Sequence, residues 1–254
     1  MSVTACAALT ERADPDRFLA TMAAPPDLRD RLWPIWAYNA EVARAPWVTQ
    51  ETGIAEIRLQ WWRDAVAGMA GDGPVRQHEV VVPLAAVVRA RDIPADLLDG
   101  IVAARRWDIY TDPFEDTAHF REHLDRTAGN LMWAAALACS AEPSVEADVR
   151  RVAFAQGLAN WFLAVPALEA AGRKPLPDGR VAAVADLARE GLEALEGVPR
   201  DRGAATPAMR TGWRARGLLR RAARDPLAVV EGRLAGAEAG RRLSLMWRAA
   251  RGVW

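Results

Sequence analysis

From Asp14 onward, apolar side chains in this chain recur three and four positions apart, and nowhere does a period-two alternation last. That spacing puts the apolar residues on one face of an α-helix and leaves no half-buried strand to build a sheet. The punctuation agrees. Asp14-Pro15 is an N-cap followed by a first-turn proline, Pro25-Pro26 stops that segment, and Gly71-Asp72-Gly73-Pro74 and Asp112-Pro113 break later ones. The segment Val80–Ala90 is rich in valine and reads as strand by composition, but Pro83 is poor inside a sheet and the neighbours favour helix. Pro34 marks a kink or a helix start. The predicted fold class is all-α in a single domain.

The inner stripes follow from the same spacing. After Asp27 the stripe is Leu28, Leu32, Ile35, Trp36, Asn39 and Val42; from Thr52 to Met69 it is Ile54, Ile57, Trp61, Ala65 and Met69. A helix opens at Pro94 and ends near Tyr110. Thr117 is placed to cap a long helix, and Ser144 the next. After Val181–Leu195, a linker from Arg200 to Thr206 leads to helices around Ala208–Ala223, Pro226–Ala239 and Gly240–Arg251.

Net charge is zero over 254 residues, which argues against a nucleic-acid partner. The charge is uneven, however. Residues 200–254 carry thirteen arginines against four acids, so this end is at +9 and the remainder at −9. Trp213, Trp247 and Trp254 are interleaved with those arginines. Tryptophan beside arginine on an amphipathic helix marks a membrane-surface candidate at Trp213, Arg214, Arg220, Arg221 and Trp247; the competing reading is a solvated basic face with tryptophan turned inward. No apolar run reaches the roughly 18 residues that span a bilayer. Two cysteines are too few for a disulfide framework, so a reducing, cytoplasmic setting is expected.

One stretch carries a more specific signal. In GLANWFLAVPALEAAGRKPLP, Gly157–Pro177, a helix face runs to a glycine-closed end and a loop. It resembles the second aspartate-rich helix of the squalene/phytoene synthase family, whose pattern runs roughly Q-L-x-N-I-x-R-D-x-x-E-D-x-x-x-G-R-x-Y-L-P. Leu158, Asn160, Gly172, Arg173, Leu176 and Pro177 stand where that pattern expects them; Ala164, Ala167 and Leu168 replace its acids. RDRLWPIWAYNAEVARA and IAEIRLQWWRDAV resemble the family's first helix pair, through Arg31, Ala37-Tyr38, Arg58 and Trp62. Glu41 is the only acid between Leu32 and Gln50. ARRWDIY, FREHLDRTAG and the closing RRLSLMWRAARGVW extend the similarity to the end of the chain.

The resemblance implies an isoprenoid synthase-like helical bundle over residues 27–254, with a basic helical segment at 206–254 and an N-terminal extension, 1–26, holding a short helix. Family members bind two prenyl diphosphates through Mg²⁺, which takes oxygen ligands. Carboxylates at i and i+4 share one helix face about 5–6 Å apart and can hold those ions. Both pairs are missing here, so the resemblance implies no catalytic residue, no metal and no cofactor. It leaves ligand-pocket candidates at Arg31, Tyr38, Asn39, Glu41, Arg58, Asn160 and Arg173. Asp108 and Asp112 form a literal D-x-x-x-D, read either as a displaced Mg²⁺ site or as a helix end, since Pro113 forces Asp112 out of regular helix. His119 and His123 are also i,i+4, read as a surface pair.

The branch most similar to this chain is the one that lacks the aspartate motifs and resembles the mitochondrial respiratory complex I assembly factor of this fold. It keeps an A-F/Y-N-x-E run, here Ala37–Glu41, and an R-x-Q-W/F-W run, here Arg58–Trp62. That implies complex I subunits or assembly intermediates as partners, an anionic membrane surface or an isoprenoid lipid as a further contact, and a peripheral place on the inner membrane. The alternative implied by the family at large is an active head-to-head prenyl transferase using Mg²⁺ and a prenyl diphosphate.

Overall fold

The structure, a computed structural model, describes residues 2–235 and 238–254, with side chains for all of these except 238–243. The side chains of Arg241 and Arg242 therefore lie outside the described residues; the helix expected over Pro226–Ala239 stops at Val230, and Gly232 just beyond takes φ +69°. Every element among the described residues is helical. In order they are α1 (Val3–Ala13), α2 (Pro15–Met22), α3 (Pro26–Arg44), α4 (Thr52–Ala67), α5 (Val81–Ala90), α6 (Ala95–Ala104), α7 (Thr117–Leu124), α8 (Asn130–Ala138), α9 (Glu146–Ala170), α10 (Val181–Ala194), α11 (Thr206–Met209), α12 (Ala215–Arg224), α13 (Leu227–Val230) and α14 (Glu238–Ala250).

Local chemistry explains most of the boundaries. Asp14 accepts from the Arg17 amide at 2.9 Å and so caps α2, with Pro15 at its first position. α9 ends as the sequence suggests: Gly172 takes φ +77°, and the Arg173 amide returns to the Leu168 carbonyl at 2.9 Å. Pro83 sits in the first turn of α5, where its missing N–H has no helical partner to lose. Two expected caps are corrected. Asp116, not Thr117, caps α7 through the His119 amide at 2.8 Å. Ser144 lies in a 3-10 turn, Pro143–Val145, ahead of α9 and makes no cap.

The bundle is organised around α9, 25 residues and about 37 Å long. Its buried side chains, among them Val149, Val152, Ala155, Leu158, Phe162 and Val165, leave no polar stripe, as befits a helix surrounded by others. It packs against α8, α10, α12 and α13, with α3 beyond α8. Between α7 and α8 the helix widens into one π turn, Asp125–Gly129, where the Thr127 hydroxyl donates to the His123 carbonyl at 2.6 Å. Gly157 of α9 lies against this turn: a Cβ there would sit 2.7 Å from Ala128 Cβ.

The stripe expected on α4 is half right: Ala65 and Met69 are buried, but its first turns face outward. The buried residues are Ala55, Leu59, Trp62, Ala65 and Val66, whereas Ile54 and Ile57 are exposed. The N-terminal 26 residues form two helices rather than one short one, and both pack on α3. The C-terminal end is tied down as well. The Trp254 amide donates to the Arg200 carbonyl at 3.1 Å, and its indole N–H donates to Pro199 at 2.7 Å.

Candidate functional site

Two cavities meet beside α9. The larger, about 600 Å³, is walled by Asn39 and Ala43 of α3, by the π turn at Thr127 and Ala128, and by Gly157, Asn160, Trp161, Ala164, Ala167 and Leu168 of α9. The smaller, about 360 Å³, shares Asp14, Arg17, Asn160 and Ala164 with it and continues between α9 and Arg214. The helix spacing fixes what faces inward. Asn39 and Ala43 are i,i+4 on α3; Asn160, Ala164 and Leu168 follow the same step on α9.

Two carboxylates reach the larger cavity, and each is held by an arginine. Asp14 lies 2.6 Å from Arg17, whose guanidinium also covers Trp36 at 5.0 Å. Asp108, only 4% exposed, lies 3.2 Å from Arg105. Burial raises the Asp108 carboxyl above its ordinary range, and the charge and hydrogen bond of Arg105 partly offset this. The Nε atoms of Arg17 and Arg105 are buried and find no partner. Asn39 and Asn160 line the cavity and make no side-chain hydrogen bond among the described residues.

The donor set can be tested against a magnesium-bridged diphosphate, which needs several oxygen ligands in one place. The inward i,i+4 positions offer two amides and methyl or isobutyl groups, and the two aspartates are committed to arginines. Among the described residues no group of three or more His, Cys, Asp or Glu is placed to hold a metal ion. These residues do not fit such a group.

The family model for squalene/phytoene synthase matches residues 10–250. The chain belongs to the squalene/phytoene synthase family. Two solved structures share its fold. A dehydrosqualene synthase crystallised with a ligand superposes with a TM-score of 0.76 at 11% identity, covering 98% of this chain and 95% of the other. A squalene synthase from Alicyclobacillus acidocaldarius gives 0.64 at 14%, covering 98% and 94%. Curated relatives carry a different name. The homologue of NADH dehydrogenase (ubiquinone) complex I assembly factor 6 from Drosophila melanogaster is 27% identical over 179 residues, 68% of this chain and 52% of that protein. The Mus musculus assembly factor 6 is 23% identical over 128 residues, 50% of this chain and 38% of that protein. The chain thus spans about half, or less, of the length of these relatives.

Of the residues that the squalene/phytoene synthase pattern singled out, Asn39 and Asn160 face the cavity. Arg173 stands at its edge, donating to the Trp107 and Asp108 carbonyls at 3.2 and 2.6 Å and lying over Trp47 at 5.3 Å. It clamps the chain that carries Asp108. Arg173→Ala is expected to cost about 1.5–3 kcal/mol, the range for hydrogen bonds from a charged donor, measured by urea denaturation. Tyr38 is in the core instead, its hydroxyl donating to Leu98 O at 2.8 Å. Arg31 pairs with Asp27 at 3.6 Å, and Glu41 with Arg44 at 3.1 Å. Glu41 and Arg58 line a separate groove.

Asp112 lines a third cavity, about 690 Å³, with Trp107, His119 and His123, so it and Asp108 do not face one volume. His123 is buried, not at the surface. It sits among Trp107, Phe114 and Trp161 at ring distances of 5.8, 5.4 and 5.1 Å. Burial, with the charges of Arg105 and His119, lowers its pKa to about 3. Asp14, Arg17 and Arg105 escaped the sequence reading. The signal was present: Arg17 shares a stripe with Ala20 and Thr21, and Arg105 continues Leu98, Ile101 and Val102.

The basic end is largely turned inward or engaged. Trp213 is 4% exposed and packs with Ala20 and Leu245. Arg214 pairs with Asp16, and Arg221 donates to Leu234 O at 2.8 Å. α12 buries Leu218, Leu219 and Ala222, so its apolar face is not available to a bilayer. Arg220 is exposed, and so is Trp247 beneath Arg251 at 4.2 Å. No described helix is long and apolar enough to cross a membrane.

Proposed function

We propose that this member of the squalene/phytoene synthase family catalyses no prenyl transfer and acts in the assembly of respiratory complex I, at the membrane face. The observation that carries the first half is the character of the facing helix positions. Ionising an allylic diphosphate needs metal-held charge on the departing group, and Asn39, Ala43, Ala164, Ala167 and Leu168 supply no carboxylate to hold it. The second half rests on the names of the curated relatives from fly and mouse. Partners would be complex I subunits or intermediates, and among the described residues the exposed Trp247 and the exposed Arg220 are the membrane-surface candidates left open to an anionic surface.

The test has two arms. Purified protein given farnesyl or geranylgeranyl diphosphate, Mg²⁺ and NADPH is expected to form no hydrocarbon and release no diphosphate. Turnover that disappears in Asp108→Ala would restore the prenyl transferase reading. Deleting the gene is expected to lower complex I content while carotenoids and hopanoids stay unchanged; loss of those lipids with complex I intact would refute the assembly role.

A further inference from the structure

The two runs that mark the assembly-factor branch, Ala37–Glu41 and Arg58–Trp62, do not meet at the central cavity. Four of their members, the buried Trp62 among them, meet at another feature. Glu41, Arg58, Trp61 and Trp62 line an open groove of about 320 Å³ between the end of α3 and α4, with Val48 and Ile57. Its apolar wall is unusually bare: Ile57 is 70% exposed, Val48 43% and, one turn away on the same helix face, Ile54 40%. Ile54, Ile57 and Trp61 are i, i+3 and i+7, so α4 presents a second apolar stripe flanking the one it buries.

The rim is charged and unbalanced. Arg44 is matched by Glu41 at 3.1 Å, and Arg76, which lies over Trp61 at 5.3 Å, is matched by Asp64 at 2.9 Å. Arg58 has no ion pair or hydrogen bond among the described residues. An apolar centre with tryptophan and arginine inside a polar rim is the anatomy of a protein contact, and adjacent exposed apolar side chains mark such sites. A ridge at helical spacing beside a groove suits a second helix laid against it.

We propose that this groove docks an amphipathic helix of a partner protein, whose apolar face covers Ile57 and Trp61 and whose bordering Asp or Glu pairs with Arg58. The proposal gives the assembly reading a contact surface and rests on it for the partner's identity, but not for the groove's chemistry. A helix with an acidic border gains a charge pair that a neutral one lacks, and a basic border meets Arg58 as repulsion.

The test uses the full chain and labelled helical peptides that share one leucine-rich face and differ only in a bordering Glu, Gln or Lys, read by fluorescence anisotropy. The Glu peptide is expected to bind best and the Lys peptide worst. Arg58→Glu is expected to invert that order, with about a tenfold change for each charged peptide. Ile57→Asp, on an exposed side chain, is expected to abolish binding while the thermal melt is unchanged. The proposal is overturned if no peptide binds, if Ile57→Asp binds normally, if sedimentation shows a dimer that Ile57→Asp dissolves, or if lipid vesicles and not peptides respond to these variants. Peptides that fail while gene deletion still lowers complex I would sink the groove alone. Peptides that behave as expected while deletion leaves complex I intact would sink the assembly role alone.

Discussion

Lowering the pH from 7 to 3 is expected to remove roughly 4 kcal/mol of folding stability through His123 alone. The imidazole is buried among aromatic rings, its Nε2 has no partner, and its pKa falls from 6.5 to about 3. Between those two values the unfolded chain holds a proton that the folded chain refuses. The contribution is therefore complete above pH 6.5 and is lost progressively as pH falls toward 3. Asp108 works in the opposite sense: burial raises its pKa above 3.8, so protonating it on acidification favours the folded state. Urea denaturation at a series of pH values checks the balance. Between pH 6 and 4 the wild-type slope should exceed that of His123→Phe by up to about 1.4 kcal/mol per pH unit. Parallel profiles for the two proteins would mean that His123 accepts a proton in place.

Trp161→Ala is expected to cost roughly 3–5 kcal/mol, as large-to-small changes at buried tryptophan do. The ring is 8% exposed and packs against Trp107, Phe114, Phe120 and His123 at 5.1 to 5.7 Å between centroids. It also stands between the 600 Å³ cavity, which it lines, and the 690 Å³ cavity, which Trp107 and His123 line. Its removal would join the two. Trp161→Phe keeps the ring contacts and gives up the indole hydrogen bond to Pro175 O at 2.8 Å, a loss of about 1 kcal/mol. Denaturation midpoints for both variants, with the exposed Trp247→Ala as control, decide the point. An Ala variant no less stable than that control would show that the aromatic cluster does not carry the partition.

The helical frame was legible because its signals are local. Asp14-Pro15 starts α2, Gly172 closes α9, and Pro83 falls where α5 tolerates it. Which face of a helix turns inward is not local when both faces are apolar. On α4 the period fits Ile54, Ile57 and Trp61 as well as Leu59, Trp62 and Val66, and only packing against α6 chooses. The α9 wall of the cavity was readable from the family pattern, down to the missing acids. Its opposite wall was read only at Asn39, because Arg17 comes from residues that looked like an extension and Arg105 from the 3-10 turn after α6. Nor could spacing separate Asp108 from Asp112: α6 ends at Ala104, and the 3-10 turn Arg105–Asp108 and the loop after it send them to different cavities.

The clasp between Asp16 and Arg214 joins positions 198 residues apart, and Arg210 reinforces it by donating to the Ala23 carbonyl at 3.1 Å. During synthesis α2 leaves the ribosome long before either arginine exists, since domains are made from the N-terminus onward. Asp14 and Arg17 can therefore take up their place beside the cavity only after residues 210–214 have been made. Until then α2 lacks the two arginine contacts that hold it against the rest of the bundle.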